Sequence, residues 1–156
     1  MVPIEALQRF PCFAQLNRQN LRELALVTEE VTIPAGTRIF GEGEDADTLY
    51  GIVRGEVEIR YPLASGELCS IQTLTDDDIL VWSAVVEPYK TTAEGVTTRD
   101  TELLAINPRK LREYFFDKDP TLARAILHQV AKMLAKRLEN ARRELGKITM
   151  QLSAKD

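Results

Sequence analysis

From Pro120 to about Leu152 the chain has helix-forming composition and no further proline, and this stretch constrains the fold more than any other. With Ala131, Leu138, Leu145 and Leu152 at heptad position a, Leu127, Leu134, Ala141 and Ile148 fall at d, so all eight seam positions are apolar. A helix of roughly 30 residues spans about 45 Å, longer than a domain of this size is wide. Its first turns, around Leu122 and Ile126, are expected to pack on the chain's own globular part. The far half then needs another partner, and a second copy of the chain is the expected one. The expected homodimer interface comprises Leu127, Ala131, Leu134, Leu138, Ala141, Leu145 and Ile148. Gly146 weakens the helix by about 1 kcal/mol relative to alanine, so fraying is expected beyond it.

Upstream the pattern changes. From about Val31, short β-prone runs are punctuated by glycine: VTIPAGTRIF, GEGEDAD, TLYGIVRG and EVEIRY. Val57, Ile59 and Tyr61 alternate with Glu56, Glu58 and Arg60, the period of a half-buried strand. Ala64-Ser65-Gly66 supplies a hairpin turn, with Leu68 to Leu74 as the returning strand. A later pair, about Thr92 to Thr98 and Thr101 to Ile106, closes the β region. The N-terminal segment spaces Leu7, Phe10, Phe13, Leu16, Leu21, Leu24 and Leu26 as two short helical stretches around Pro11, with Asn17 as N-cap of the second. Asn107-Pro108 starts a short helix over 108–117, and Asp119-Pro120 repeats the capping device. The expected architecture is mainly β with flanking helices: a β-roll body over 1–118 and a long C-terminal dimerisation helix over 119–156.

Composition excludes several function classes. A chain of 156 residues with 44% apolar content buries one core. No apolar run approaches the roughly 18 residues of a membrane span, and MVPIEALQRF has neither a basic nor an apolar signal region, so a cytoplasmic protein without a membrane partner is expected. Cys12 and Cys69 lack CxxC spacing and His128 is the only histidine, so no metal is expected and the thiols read as structural. Residues 1–108 hold 8 Lys/Arg against 18 Asp/Glu, net −10, and residues 109–156 hold 12 against 6, net +6. The acidic body repels nucleic acid, and basic residues on a long helix read as a solvated face, so no nucleic-acid partner is expected. No nucleophile–base set, GxGxxG or P-loop occurs, which argues against an enzyme. Asp76, Asp77 and Asp78 read as a solvated turn, able at most to hold Ca²⁺ weakly.

AGTRIFGEGEDADTLYGIVRGEVEIRY, the internal hairpin, DDDILVWSAVVEPYKTTA and TELLAINPRKL together resemble the cyclic-nucleotide-binding domains of the cyclic-AMP-receptor and FNR superfamily, over nearly the whole chain. Gly36, Gly43 and Gly55 match turn positions of that β-roll, where a residue without Cβ takes positive φ. The resemblance implies a double-stranded β-helix of the jelly-roll or cupin type with short N-terminal helices and the long terminal helix. Members of this family grip the ligand with a phosphate-binding cassette, Gly-Glu-x-Ala-Leu followed by Arg-Ser/Thr-Ala, whose glutamate accepts from the ribose and whose arginine pairs with the phosphate. Aligned through Ala84 and Thr92-Ala93, this chain places Val81 at the glycine, Trp82 at the glutamate and Thr91 at the arginine.

Both charged contacts are therefore missing. Lys90 lies one position before the arginine slot, and an ammonium does not reproduce a bidentate guanidinium clamp. Polar contacts from the long helix map onto Ala141 and Arg142, and Ala141 has no polar side chain. The candidate pocket comprises Val81, Trp82, Ser83, Ala84, Lys90, Thr91, Thr92 and Ala141. Cyclic AMP or cyclic GMP is expected to bind weakly or not at all, leaving room for a different small molecule stacked on Trp82. The alternative for Trp82 is that it fills the vacated pocket as core. Two functions stay open: a dimeric ligand-sensing regulatory module, and a ligand-silent dimeric adaptor that binds another protein. DNA-binding regulation needs a helix-turn-helix after the long helix, and only TMQLSAKD follows Ile148, so no DNA-binding domain is expected.

Overall fold

The computed structural model describes residues 1–113, 117 and 120–154. Three short helices open the chain: α1 (Ile4–Gln8), α2 (Pro11–Ala14) and α3 (Arg18–Leu26). Pro11 starts α2 at a position whose N–H would have no helical partner, and the Asn17 side chain caps α3 by accepting from the Asn20 N–H at 2.8 Å. The apolar faces of these helices carry Leu7, Phe13, Leu21 and Leu24 and the α1–α2 junction carries Phe10, all essentially without solvent exposure. Burial of each such side chain contributes about 1.5–3 kcal/mol.

Eight strands follow among the described residues: β1 (Thr28–Ile33), β2 (Arg38–Phe40), β3 (Leu49–Arg54), β4 (Val57–Pro62), β5 (Leu68–Leu74), β6 (Ile79–Leu80), β7 (Glu94–Thr97) and β8 (Thr101–Ile106). They form two four-stranded antiparallel sheets, ordered β1-β8-β3-β6 and β2-β7-β4-β5. The chain passes repeatedly from one sheet to the other, which makes the pair a roll rather than two independent meanders. The β4–β5 hairpin closes through Ala64-Ser65-Gly66, with the Leu63 N–H bonded to the Glu67 carbonyl at 2.8 Å. Strand β7 begins two residues later than the sequence pattern suggests, because Thr91 is held by the 41–44 turn: its N–H donates to the Glu44 carbonyl at 2.9 Å.

The acidic turn 76–78 is committed to the fold. Asp76 accepts from the Gly55 N–H at 3.0 Å, Asp77 pairs with Arg9 at 2.7 Å, and Asp78 accepts from the Thr75 N–H at 2.8 Å. These carboxylates satisfy turn donors and clamp the N-terminal helices onto the roll.

After β8, Asn107 accepts from the Arg109 and Lys110 N–H groups at 3.1 and 3.2 Å and starts α4 (Pro108–Leu111). The remainder of the expected 108–117 helix and the Asp119 cap fall mainly outside the described residues. The long helix α5 (Pro120–Ala154) has 35 residues, and its helical geometry continues through Gly146. Leu122, Ile126 and Val130 are buried, Met133, Leu134 and Arg137 are half-buried, and every residue from Leu138 to Ala154 is exposed. The body-facing stripe, Leu122-Ile126-Val130-Met133-Arg137, and the heptad seam through Leu127, Leu134 and Leu138 lie roughly a quarter turn apart at 100° per residue. No described helix is long and apolar enough to cross a membrane.

Candidate ligand pocket

Strand β6 ends at Leu80, and the chain turns at Val81 into a single 3-10 turn, Trp82–Val85. Val81 adopts φ 63° and ψ 49°, the left-handed region that favours glycine. A β-branched residue held there costs about 1–3 kcal/mol. The surroundings sustain it: Val81 is 8% exposed, and its carbonyl accepts from the Ala84 N–H at 3.0 Å. The backbone thus follows a glycine's path without a glycine.

Between this turn, the β4–β5 sheet and α5 lies a cavity of about 400 Å³. Its walls bring together Val81, Trp82, Ser83, Thr91, Thr92 and Ala141, six of the eight residues singled out in the sequence. Phe40, Ile59, Tyr61, Ile71, Leu74 and Leu80 from the sheets and Leu134 and Leu138 from α5 make most of the remaining lining apolar. Trp82 is half-buried and packs against the core while still facing the cavity.

Two expected residues stand outside the lining. Ala84 is fully buried inside the 3-10 turn, so its side chain belongs to the core. Lys90 pairs through an isolated β-bridge with Asp45, and its ammonium forms an ion pair with the Asp45 carboxylate. That ammonium holds the Asp45 carboxyl below its usual range. Thr91, at the arginine slot, is buried and its hydroxyl is committed: it donates to the Gly41 carbonyl and accepts from the Glu44 N–H at 3.0 Å. A single hydroxyl proton used in this way is not available to a ligand. Ser83 is buried and Thr92 exposed, each with a hydroxyl near the cavity.

The pocket does hold one cation, Arg137, which the sequence pattern does not single out as a pocket residue. Its guanidinium lines the cavity and donates to the Ile79 carbonyl at 2.8 Å. Burial pulls its pKa below the ordinary arginine value, and attraction to Asp78 opposes that pull; the group stays charged. The usable signal is its place on the helix, one turn after Met133 and one turn before Ala141, on the side that packs on β6.

A second arginine holds the far end of the 3-10 turn. Arg112, just after α4, donates to the Ala84 carbonyl at 2.7 Å and lies 4.2 Å from the centroid of the Tyr89 ring. The turn that carries Trp82 is thereby tied to the segment leading towards α5.

A family model for the cyclic nucleotide-binding domain matches residues 30–118. A curated relative, the CRP-like cAMP-activated global transcriptional regulator of Mycobacterium tuberculosis, is 24% identical over 142 residues, covering 91% of this chain and 61% of the relative. The chain thus spans about three-fifths of the length of the curated relatives it matches. A putative cyclic nucleotide-binding protein from Geobacter metallireducens superposes with TM-score 0.80 at 28% identity, over 88% of this chain and 99% of that one. The regulatory subunit of a cAMP-independent protein kinase A from Trypanosoma brucei, solved as a mutant bound to cAMP, shares the fold with TM-score 0.72 at 16% identity, over 83% and 45% of the two chains.

Proposed function

The chain belongs to the cyclic nucleotide-binding domain family, and from that premise we propose that it is a regulatory module with a rebuilt pocket. In this reading it holds cyclic AMP and cyclic GMP weakly or not at all, takes a different, less charged small molecule against Trp82, and pairs through α5 into a homodimer. The observation that carries the reading is the pocket lining: an indole stands at the acid slot, a committed hydroxyl at the arginine slot, and Arg137 is the one cation among the described lining residues. Each charge-assisted contact contributes about 1.5–3 kcal/mol, so lacking two weakens binding by roughly two to four orders of magnitude. The Trypanosoma brucei neighbour, part of a cAMP-independent kinase, supports treating this fold separately from cyclic AMP dependence.

The functional division follows the same lines, with residues 1–118 as the sensing body and 119–156 as the pairing helix. Leu138, Leu145, Ile148 and Leu152 are exposed on α5, Leu145 by 63%, in the register of a heptad seam. Tyr61 and Ile71, also exposed, border the same cavity as Leu138 and Ala141. A partner helix along the seam would meet the rim of the pocket, so occupancy and dimer geometry bias one another. The net charge of −10 over residues 1–108 favours a protein over nucleic acid as downstream partner.

Isothermal titration checks the ligand half of the reading: cyclic AMP and cyclic GMP are expected to show no saturation below about 1 mM, whereas a neutral aromatic ligand gives heat. Low-micromolar cyclic AMP affinity sinks it. Sedimentation equilibrium checks the dimer, with L138E/L145E expected to weaken self-association at least about 100-fold by placing carboxylates in the seam. A ligand-silent adaptor is the second reading, favoured by the packing of Trp82 against the core. Absence of any thermal shift across a metabolite panel, together with a stable protein partner recovered without added ligand, selects it.

A further inference from the structure

A second cavity, of about 530 Å³, lies on the other flank of α5, between α2, the β5–β6 turn and the helix. Cys12, Ile79 and Met133 give it an apolar floor, and α5 presents Lys132, Lys136 and Arg137 along one wall. Asp77 and Asp78 face the cavity from the turn: Asp77 pairs with Arg9 at 2.7 Å, and Asp78 accepts from the Thr75 N–H at 2.8 Å and attracts Arg137, which leaves the two lysines of this wall. Lys132 and Lys136 make no ion pair among the described residues. The charge without a matching partner in this cavity is therefore positive. Arg137 adds a half-buried guanidinium, in the wall common to both cavities. A cation removed in part from water is stabilised by an anion that reaches it.

The position also matters. At 100° per residue Lys136 lies roughly 160° around the helix from Leu138, so pairing of two chains through the heptad seam leaves this cavity open. We infer that it is a second binding site, for a small organic anion in which a carboxylate or phosphate is joined to an apolar group. The anionic end meets Lys132, Lys136 and Arg137, and the apolar end lies over Cys12, Ile79 and Met133. The two cavities share Arg137, but Lys132 and Lys136 line only the second, so silence of the first pocket towards every ligand leaves this inference standing.

The test is a chemical-shift titration of the full ¹⁵N-labelled chain with phenyl phosphate, benzoate and, as the uncharged control, benzyl alcohol. Ligands of this size are expected to bind with Kd on the order of 1 mM. Saturable shifts are expected at the Asp77, Asp78, Lys132 and Lys136 amides with either anion and not with the alcohol, and the tighter of the two anions identifies the preferred head group. Both lysines are exposed and alanine favours helix, so K132A/K136A keeps the fold; it is expected to weaken the anions at least about tenfold. Shifts confined to Ser83, Thr92 and Ala93 with affinity unchanged in K132A/K136A would overturn the inference, as would no saturable shift from either anion up to about 10 mM.

Discussion

Two turns of the roll take positive φ under different constraints. At Gly55, φ is +135°, and a Cβ built there would sit 2.4 Å from Thr101 Oγ1 and 2.7 Å from the Thr101 Cα. At Val81, φ is +63°, in the left-handed region that an L-residue reaches at a cost, and a valine occupies it. The first turn joins β3 to β4 against β8 and is fixed by backbone proximity whatever the ligand. The second leads from β6 into the 3-10 turn and holds this path with valine, tryptophan and threonine at positions 81, 82 and 91 of the candidate pocket. The two turns therefore differ in what they allow: contacts at Gly55 leave no room for a side chain, while the turn at the candidate pocket accommodates a β-branched residue at positive φ.

The largest expected effect lies in the tolerant corner. The triple substitution Val81→Gly, Trp82→Glu, Thr91→Arg supplies the cassette's acid and arginine on a backbone already bent to receive them. Two restored charge-assisted contacts contribute about 3–6 kcal/mol, so calorimetry is expected to show cyclic AMP binding at least about 100-fold tighter than in the natural chain. The Thr91 hydroxyl is lost from Gly41 and Glu44, at about 1 kcal/mol of stability. If the variant folds and its affinity does not rise, the cassette is not a vacated grip and the comparison fails. In the frame, Gly55→Ala meets both overpacking and a forbidden φ, and is expected to destabilise by about 2–4 kcal/mol in urea unfolding. A loss below about 1 kcal/mol would remove the steric distinction between the turns.

The same distinction explains what the sequence makes legible. Gly36, Gly43 and Gly55 all take positive φ, Asn17 and Asn107 cap the helices that follow them, and α5 runs through the whole predicted span. These features are local: they depend on a residue's own backbone or on neighbours within one turn. The cavity is less legible because tertiary pairing decides it. Lys90 is carried outward by the bridge to Asp45, Ala84 is turned into the core by the 3-10 turn, and Thr91 is bonded to a loop some 50 positions earlier. Arg137 is hidden for the opposite reason. A basic residue on a charged helix reads as solvated, and only the docking of α5 on β6 brings its guanidinium to the Ile79 carbonyl.

The smallest expected effect measures the strain at Val81 itself. Val57 in β4 is fully buried, Val81 is 8% exposed, and Val→Gly removes the same three carbons from either site. At Val57 the whole loss is felt: the buried side chain, the cavity left behind and the greater freedom of glycine in the unfolded chain. At Val81 those terms are offset by release from the left-handed region, which a glycine occupies without penalty. Val81→Gly is therefore expected to destabilise by about 1–2 kcal/mol less than Val57→Gly, read as the difference between their urea midpoints at equal m-value. Equal losses would mean that the turn at Val81 stores no strain and that valine holds its left-handed backbone there without penalty.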